Sequence, residues 1–259
     1  MTVYSGTFTY TQPTAEYNSS DSPFINNDIS FTTLTKTTTI DGTDTLVAWA
    51  FVFDSAVAPS SNDGLLCLNA FTTSTNVQIT DFGGVPMSKA GQGFKNFSGT
   101  FPTDSANIPI FLSGATSLYE MFYNCPNFNQ QIDSWDTSSV SDMRNTFYGS
   151  STFNQPLAAW DTSAATDMSG MFYNASAFNQ ILKTFVMANV ASATTMFTGS
   201  NMSVTAFNKT MLGWSEQATL PVALDVGGVD YSAVGVAART VLTSAPHLWT
   251  FSSGSLVAT

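Results

Sequence analysis

The chain offers few groups able to do chemistry. Its single histidine, His247, stands beside Leu248 and Trp249. One imidazole is too few for a histidine-based metal site and has no triad context, so a structural or superficial histidine is expected. The two cysteines, Cys67 and Cys125, are fewer than a disulfide-stapled secreted domain carries. Buried free thiols are expected, with one bridge between them as the alternative. Asp136 and Asp161 stand 25 residues apart, as do Asp142 and Asp167. Stacked carboxylates are one way to hold Ca²⁺. The glycine-rich loops of Ca²⁺-binding β-arrays are absent, however, and an Asp placed before Ser or Thr caps its own turn. Structural capping is therefore expected. Two carboxylates could also cleave a glycoside, but only across a cleft, and no segment marks one.

"GQGF" at 91–94 lacks the pattern and flanks of a phosphate loop. Met121, Met171 and Met196 share one register, which reads as core packing and not a redox cluster. Cys125 takes the place held by Ser150 and Ala175 further on, a small-residue position. The "NFS", "NAS", "NMS" and "NKT" sequons matter only for a protein secreted by a eukaryote. No catalytic residue, metal or cofactor is expected, and the chain is not expected to be an enzyme.

Composition narrows the setting. Of 259 residues, 43% are hydrophobic, enough for a sizeable core, while only 10% are charged. Soluble domains usually carry about a quarter. The surface must be polar but mostly neutral, as in many extracellular and virion β-rich proteins. A formal charge of −11, with seven basic residues of which no two are adjacent, argues against binding to a phosphate backbone. No stretch is long and apolar enough to span a bilayer, and "MTVYSGTFTYTQ" has no export-signal pattern.

What must position any site is a repeat. "FNQQIDSW" at 128–135 returns as "FNQPLAAW" at 153–160, as "FNQILKTF" at 178–185 and as "FNKTMLGW" at 207–214. Trp135, Trp160 and Phe185 stand 25 apart, and stepping back gives Ile110 and Val85. Phe97, Phe122, Phe147, Phe172 and Phe197 keep the same step. After Phe197 the register slips by four residues, read as a loop bulging from "TGSNMSVTAF". In "SVSDMRNTF", Val140, Met143 and Phe147 share a helical face, and Ser139 with Asp142 has capping-box spacing. A short helix is expected there, followed by a short strand and turn in "FNQQIDSW". Stacking such units makes Phe122, Phe128, Trp135, Phe147, Phe153, Trp160, Phe172, Phe178 and Phe185 rungs of a core ladder. Asn129, Asn154, Asn179 and Asn208 become rungs of a buried polar ladder.

The segments "MFYNCPNFNQQIDSWDTSSVSDM" and "MFYNASAFNQPLAAWDTSAATDM" resemble the leucine-rich-like repeat of BspA-type bacterial surface proteins, a repeat also found in mycoplasmas and in viral and phage proteins. The resemblance implies a mixed α/β protein: a leucine-rich-like solenoid of 25-residue strand-plus-short-helix units. Residues 85–214 would hold five units. Residues 215–259, including "LDVGGVDYSAVGVAARTVLTSAPHLWTF", would form a strand-helix-strand cap, with Ser232 as N-cap of a helix ending near Thr243. Residues 1–84, rich in "FTTLTKTTTI", "TLVAWAFVFD" and "GLLCLNAF", read as a β-rich cap or attachment region continuous with the first unit, a small independent β-domain being the alternative, with 1–27 an extended arm.

The resemblance implies a surface or interaction role. Joined to the missing export signal, it points to a component of a virus or phage exterior, such as a head decoration or fibre. Its partners would be other virion proteins or further copies of itself. The alternative is a bacterial cell-surface adhesin for host protein or glycan. A lectin using Trp135 and Trp160 is a third reading, opposed by their strict periodicity. A binding face is expected at exposed strand positions around Gln131, Asp133, Ala158 and Lys183, and at the insertion near Asn201.

Overall fold

The computed structural model describes residues 2–11, 34–39, 45–53, 77–81, 91, 93–108, 111, 114–221, 223–227, 229–251 and 257. Cys67, Val85, Ile110, residues 12–27 and "GLLCLNAF" fall outside them. The N-terminal strands are β1 (Thr2–Thr11), β2 (Leu34–Thr39), β3 (Thr45–Phe53) and β4 (Val77–Asp81). They form an antiparallel sheet in the order β2-β3-β1-β4. Thr2–Thr11, expected within an extended arm, thus forms an inner strand paired on both sides. The Thr and Val content of β2 and β3 suits a pleated backbone.

From residue 91 to residue 203 the described chain contains neither strand nor helix. Successive tiers are joined instead by isolated parallel bridges, Ser117–Asp142, Asp142–Asp167 and Asp167–Ser192, each continued by a row of backbone hydrogen bonds to the next tier. Leu118 N–H donates to Asp142 O at 2.8 Å, Met143 N–H to Asp167 O at 2.9 Å and Met168 N–H to Ser192 O at 2.8 Å. Within a tier the backbone runs through consecutive tight turns. Met121 N–H bonds Leu118 O at 3.0 Å, Tyr123 N–H bonds Glu120 O at 3.2 Å and Cys125 N–H bonds Phe122 O at 3.3 Å.

The expected leucine-rich-like solenoid of strand-plus-short-helix units is therefore corrected. Val140, Met143 and Phe147 do point inward together. A chain of i→i−3 turns produces that spacing as well as a helix does. Asn145 at φ 55° and Gly149 at φ 68° interrupt any helix. Asp142 accepts from the Arg144 N–H of its own turn and takes no part in a capping box.

Positive φ recurs at Glu120, Asn145, Gly170 and Thr195, and again at Asn124, Gly149, Asn174 and Gly199. The second column alternates Asn and Gly for a steric reason. A β-carbon on Gly149 would fall inside the van der Waals envelope of Asn124 Oδ1, and one on Gly199 inside that of Asn174 Oδ1.

The core is a pair of phenylalanine columns. Phe94, Phe122, Phe147, Phe172 and Phe197 stack with centroids 5.5, 5.6, 5.6 and 5.9 Å apart. Phe128, Phe153 and Phe178 form the second column, each 3.7–3.9 Å from the first-column ring of its own tier. Such pairs contribute roughly 0.5–1.5 kcal/mol each beyond the area they bury. The rung before Phe122 is Phe94, 28 residues back, and not Phe97. Likewise Trp135 stacks on Phe111, one residue past the expected Ile110, at 4.7 Å.

The four-residue slip is no loop. It feeds α1 (Val204–Ser215), capped by Ser203, whose Oγ accepts the Ala206 N–H at 3.2 Å. Phe207, Met211 and Trp214 lie on its buried face. Trp160 donates its indole N–H to Ile132 O at 2.8 Å, and Trp214 makes the equivalent bond to Leu182 O at 3.0 Å. The helix rises only about 1.5 Å per residue, so it takes up the extra residues and still delivers its tryptophan to the same place.

The strand-helix-strand cap is corrected as well. A 3-10 turn at Ala233–Gly235 leads into α2 (Val236–Thr243), and the described flanking segments form no strand: they join through an isolated Asp225–Thr250 bridge, with Ala223 N–H donating to His247 O at 2.6 Å beside it. Ser232 precedes the 3-10 turn without a side-chain cap bond, and its Oγ accepts from Asn208 Nδ2 at 2.7 Å.

Candidate functional site: a tyrosine and arginine face

The groups singled out for chemistry mostly have structural partners. Cys125 is fully buried and unpaired, its thiol 2.7 Å from Phe94 O. Burial pushes its pKa far above that of a free thiol. In a Cys67→Ser variant, native protein is expected to resist iodoacetamide at neutral pH and to alkylate fully in denaturant, read by intact mass. Rapid native labelling would contradict the buried thiol.

Asp136 Oδ1 accepts from Ser138 Oγ at 2.6 Å and from Ser138 N–H at 3.2 Å, and Asp161 Oδ1 accepts from Ser163 N–H at 2.9 Å. Hydrogen bonds from Ser138 and Ser163 hold both carboxyls below the usual carboxylate range. Asp167 and Asp225 cap turns in the same way, through Ser169 N–H and Gly227 N–H. Because folding lowers the pKa of Asp136 and Asp161, their contribution is present above the unfolded value of about 3.9. It is lost as pH falls through the lower folded values. The urea midpoint of wild type is expected to fall more steeply than that of an Asp136→Asn/Asp161→Asn variant below about pH 4. Parallel curves would sink that assignment.

The asparagine ladder runs on the surface and is not buried. Asn129 Oδ1 accepts Asn154 N–H, Asn154 Oδ1 accepts Asn179 N–H, and Asn179 Oδ1 accepts Ser203 N–H, at 2.9, 2.9 and 2.8 Å. Asn129 is half-buried and Asn154 and Asn179 are exposed. Asn208 is buried in α1 and lies outside that run. Trp135, Trp160 and Phe185 are buried and offer no sugar platform. Gln131, Asp133, Ala158, Lys183 and Asn201 are all exposed. Asp133, Ala158 and Lys183 share one column position, Thr184 Oγ1 bonding Ala158 O at 3.0 Å. The backbone of Lys183 lies under α1, its O 2.7 Å from where a Gly213 β-carbon would stand. Asn201 lies apart, in the lead-in to α1.

A different side of the tiers gathers large interaction-prone side chains. Tyr123, Tyr148 and Tyr173 stack at 4.6 Å steps, tilted by only 11° and 9°, and all three are half-buried. Burial raises the Tyr148 pKa, helped by its two tyrosine neighbours. Lys95 stands over the Tyr123 ring at 5.6 Å and pairs with Glu120 at 2.5 Å. The hydrogen bond to Glu120 raises the Lys95 pKa. Beside this column, Arg144 lies 4.8 Å over the Tyr119 ring. Its guanidinium grips Asp142 through two bonds of 3.0 and 2.7 Å, with Asp167 at 3.8 Å. The Asp142 bonds push its pKa further up, so it is charged at any working pH. The repeated "MFYN" carried the signal for this face. In it Phe122 and Phe172 are buried, while Tyr123 and Tyr173 stand half-exposed.

Residues 94–214 match a family model described as "Mycoplasma protein of unknown function, DUF285". No curated protein and no solved structure matches the chain. The matching model is thus not a leucine-rich or BspA-type one, and the tier holds neither the strand nor the helix of such a repeat. The BspA-type resemblance is overturned on both counts. The virus-exterior reading, with its head-decoration and fibre forms, and the adhesin alternative rested on that resemblance. Both fall with it, and no viral structural fold matches in its support.

Proposed function

We propose that residues 94–251 form a non-catalytic binding module that docks a protein partner on its tyrosine and arginine face. The observation that carries this is the Tyr123–Tyr148–Tyr173 column. It keeps three large aromatic side chains half-exposed, while the phenylalanines stacked beside them are buried. Tyrosine and arginine are enriched where proteins bind one another, because they bring area and polar contacts at low entropic cost. Regular stacking and the Asp142 and Asp167 grip on Arg144 hold the face in one geometry before binding. That reduces the ordering penalty of association. The acids and the thiol considered above have structural tasks, which favours binding over catalysis.

The test is differential capture from the source cells and their surroundings, with quantitative mass spectrometry. A protein retained by wild type should be lost with Tyr123→Ser/Tyr148→Ser and kept with Gln131→Ala/Asp133→Ala. Equal retention by all three baits would refute the face.

A further inference from the structure

The described stack ends on a face of unexpected chemistry. The terminal unit of a repeat array needs a polar outer surface, because no further tier covers it. Here the cap buries Gly235, Ala238 and Leu242 and turns apolar side chains outward. Val234 is 79% exposed, Val236 41%, Val241 45% and Leu248 52%. They are four of the five large apolar side chains that stand exposed among the described residues. Clustered exposure of this kind marks an interaction surface, whereas single exposed residues do not. The face is also free of carboxylates. No Asp or Glu occurs from Tyr231 to Phe251, although the chain carries 18 acidic residues and a formal charge of −11. The one arginine of this segment, Arg239, is turned onto the rings of Tyr231 and Phe251, 4.8 and 5.5 Å from their centroids.

We infer that this face pairs with the same face of a second copy of the chain. Charge and symmetry both select that occupant. Two copies of a strongly acidic chain repel wherever their acids meet, and α2 is where they can touch without that cost. A two-fold interface must be complementary to itself, so that every contact occurs twice. Val234 and Val241 stand equally far to either side of the Ala237–Ala238 pair, and Ala237 is exposed. With two α2 segments crossing antiparallel at Ala237, Val234 of each copy meets Val241 of the other. The small alanine side chain at the crossing lets the axes approach to about 8 Å, the close end of helix packing. Ten of the sixteen residues from Ala233 to Leu248 are exposed. A standard interface uses roughly 20–30 a side, so this pairing is weak, with a Kd on the order of 100 μM. It does not depend on the tyrosine face. Where that face docks a partner as proposed, the pair carries it twice and gains avidity for a partner with two sites.

The test is sedimentation velocity of the full chain from about 5 μM to about 1 mM, a range that brackets the expected Kd. Wild type should pass from monomer to dimer across it, and added salt should not weaken the pairing. Val234→Asp and Val241→Lys should each weaken it about ten-fold or more, because each places an unpaired charge in the contact. Both positions are exposed, so the urea midpoints should stay near that of wild type. Val234→Asp/Val241→Lys brings opposite charges together across the two-fold. It should pair again, and its pairing should now weaken with salt. A wild type that stays monomeric at the top of the range would overturn the inference, as would undiminished pairing in Val234→Asp. Failure of the double variant to recover would overturn the antiparallel two-fold. If wild type is monomeric and Val234→Asp instead loses a different protein captured from cells, that protein covers the face and the second copy does not.

Discussion

Gly149→Ala is expected to destabilise the protein by about 2 kcal/mol, with no loss of buried apolar surface. Two effects add. Gly149 sits at φ 68°, where a β-carbon crowds its own backbone at roughly 1–2 kcal/mol. The new methyl also collides with Asn124 Oδ1 of the preceding tier, and turning that exposed amide out of its rotamer costs about 0.5–1.5 kcal/mol. Gly114→Ala separates the two. Gly114 has φ 73° and open space within 4 Å, so only the first effect applies there. Pairing Gly149→Ala with Asn124→Gly should recover most of the second. The check is a double-mutant cycle on urea midpoints. Equal destabilisation at Gly114 and Gly149 would show that the tiers do not interlock through the Asn–Gly column.

That column also marks what the sequence disclosed and what it hid. The 25-residue step was legible because the buried rings Phe122, Phe147 and Phe172 must meet tier after tier. The backbone between them was not. Val140, Met143 and Phe147 carry a spacing shared by a helix and by consecutive tight turns, and apolar periodicity cannot separate the two. The deciding signal lay in Asn124, Gly149, Asn174 and Gly199, small or amide residues tolerant of positive φ, at the same period as the rings. Phe97 misled because "FKNF" offers two phenylalanines three apart, and the one that stacks on Phe122 is Phe94. The slip after Phe197 read as a loop by counting residues alone. Ala206, Phe207, Met211 and Trp214, with Ser203 before them, spell an amphipathic capped helix. The tyrosine face was missed for a different reason. A strictly repeated aromatic points to core by its period alone, yet Tyr123, Tyr148 and Tyr173 repeat as strictly as the phenylalanines and stay half-exposed.

Phe147→Ala should have the largest effect of any single core truncation, about 3–5 kcal/mol. Its ring lies 5.6 Å from both Phe122 and Phe172, 3.9 Å from Phe153 and 6.1 Å from Trp160, so its removal empties a site bordered on every side by rigid rings. Such neighbours cannot collapse into the cavity, because each is itself stacked between tiers. The consequence reaches beyond the total stability. In a stack whose tiers touch only their neighbours, cooperativity passes through each interface in turn. A hole at the central rung should weaken the coupling of residues 94–140 to residues 166–215. Urea unfolding of Phe147→Ala is therefore expected to show a shallower transition than wild type, and hydrogen exchange to protect the two flanks unequally. Phe101→Ala, at the end of the column against Phe94, Phe97 and Phe128, should lower the midpoint and keep the slope. An unchanged slope in Phe147→Ala, with uniform loss of protection, would mean that the tiers unfold as one body whichever rung is removed.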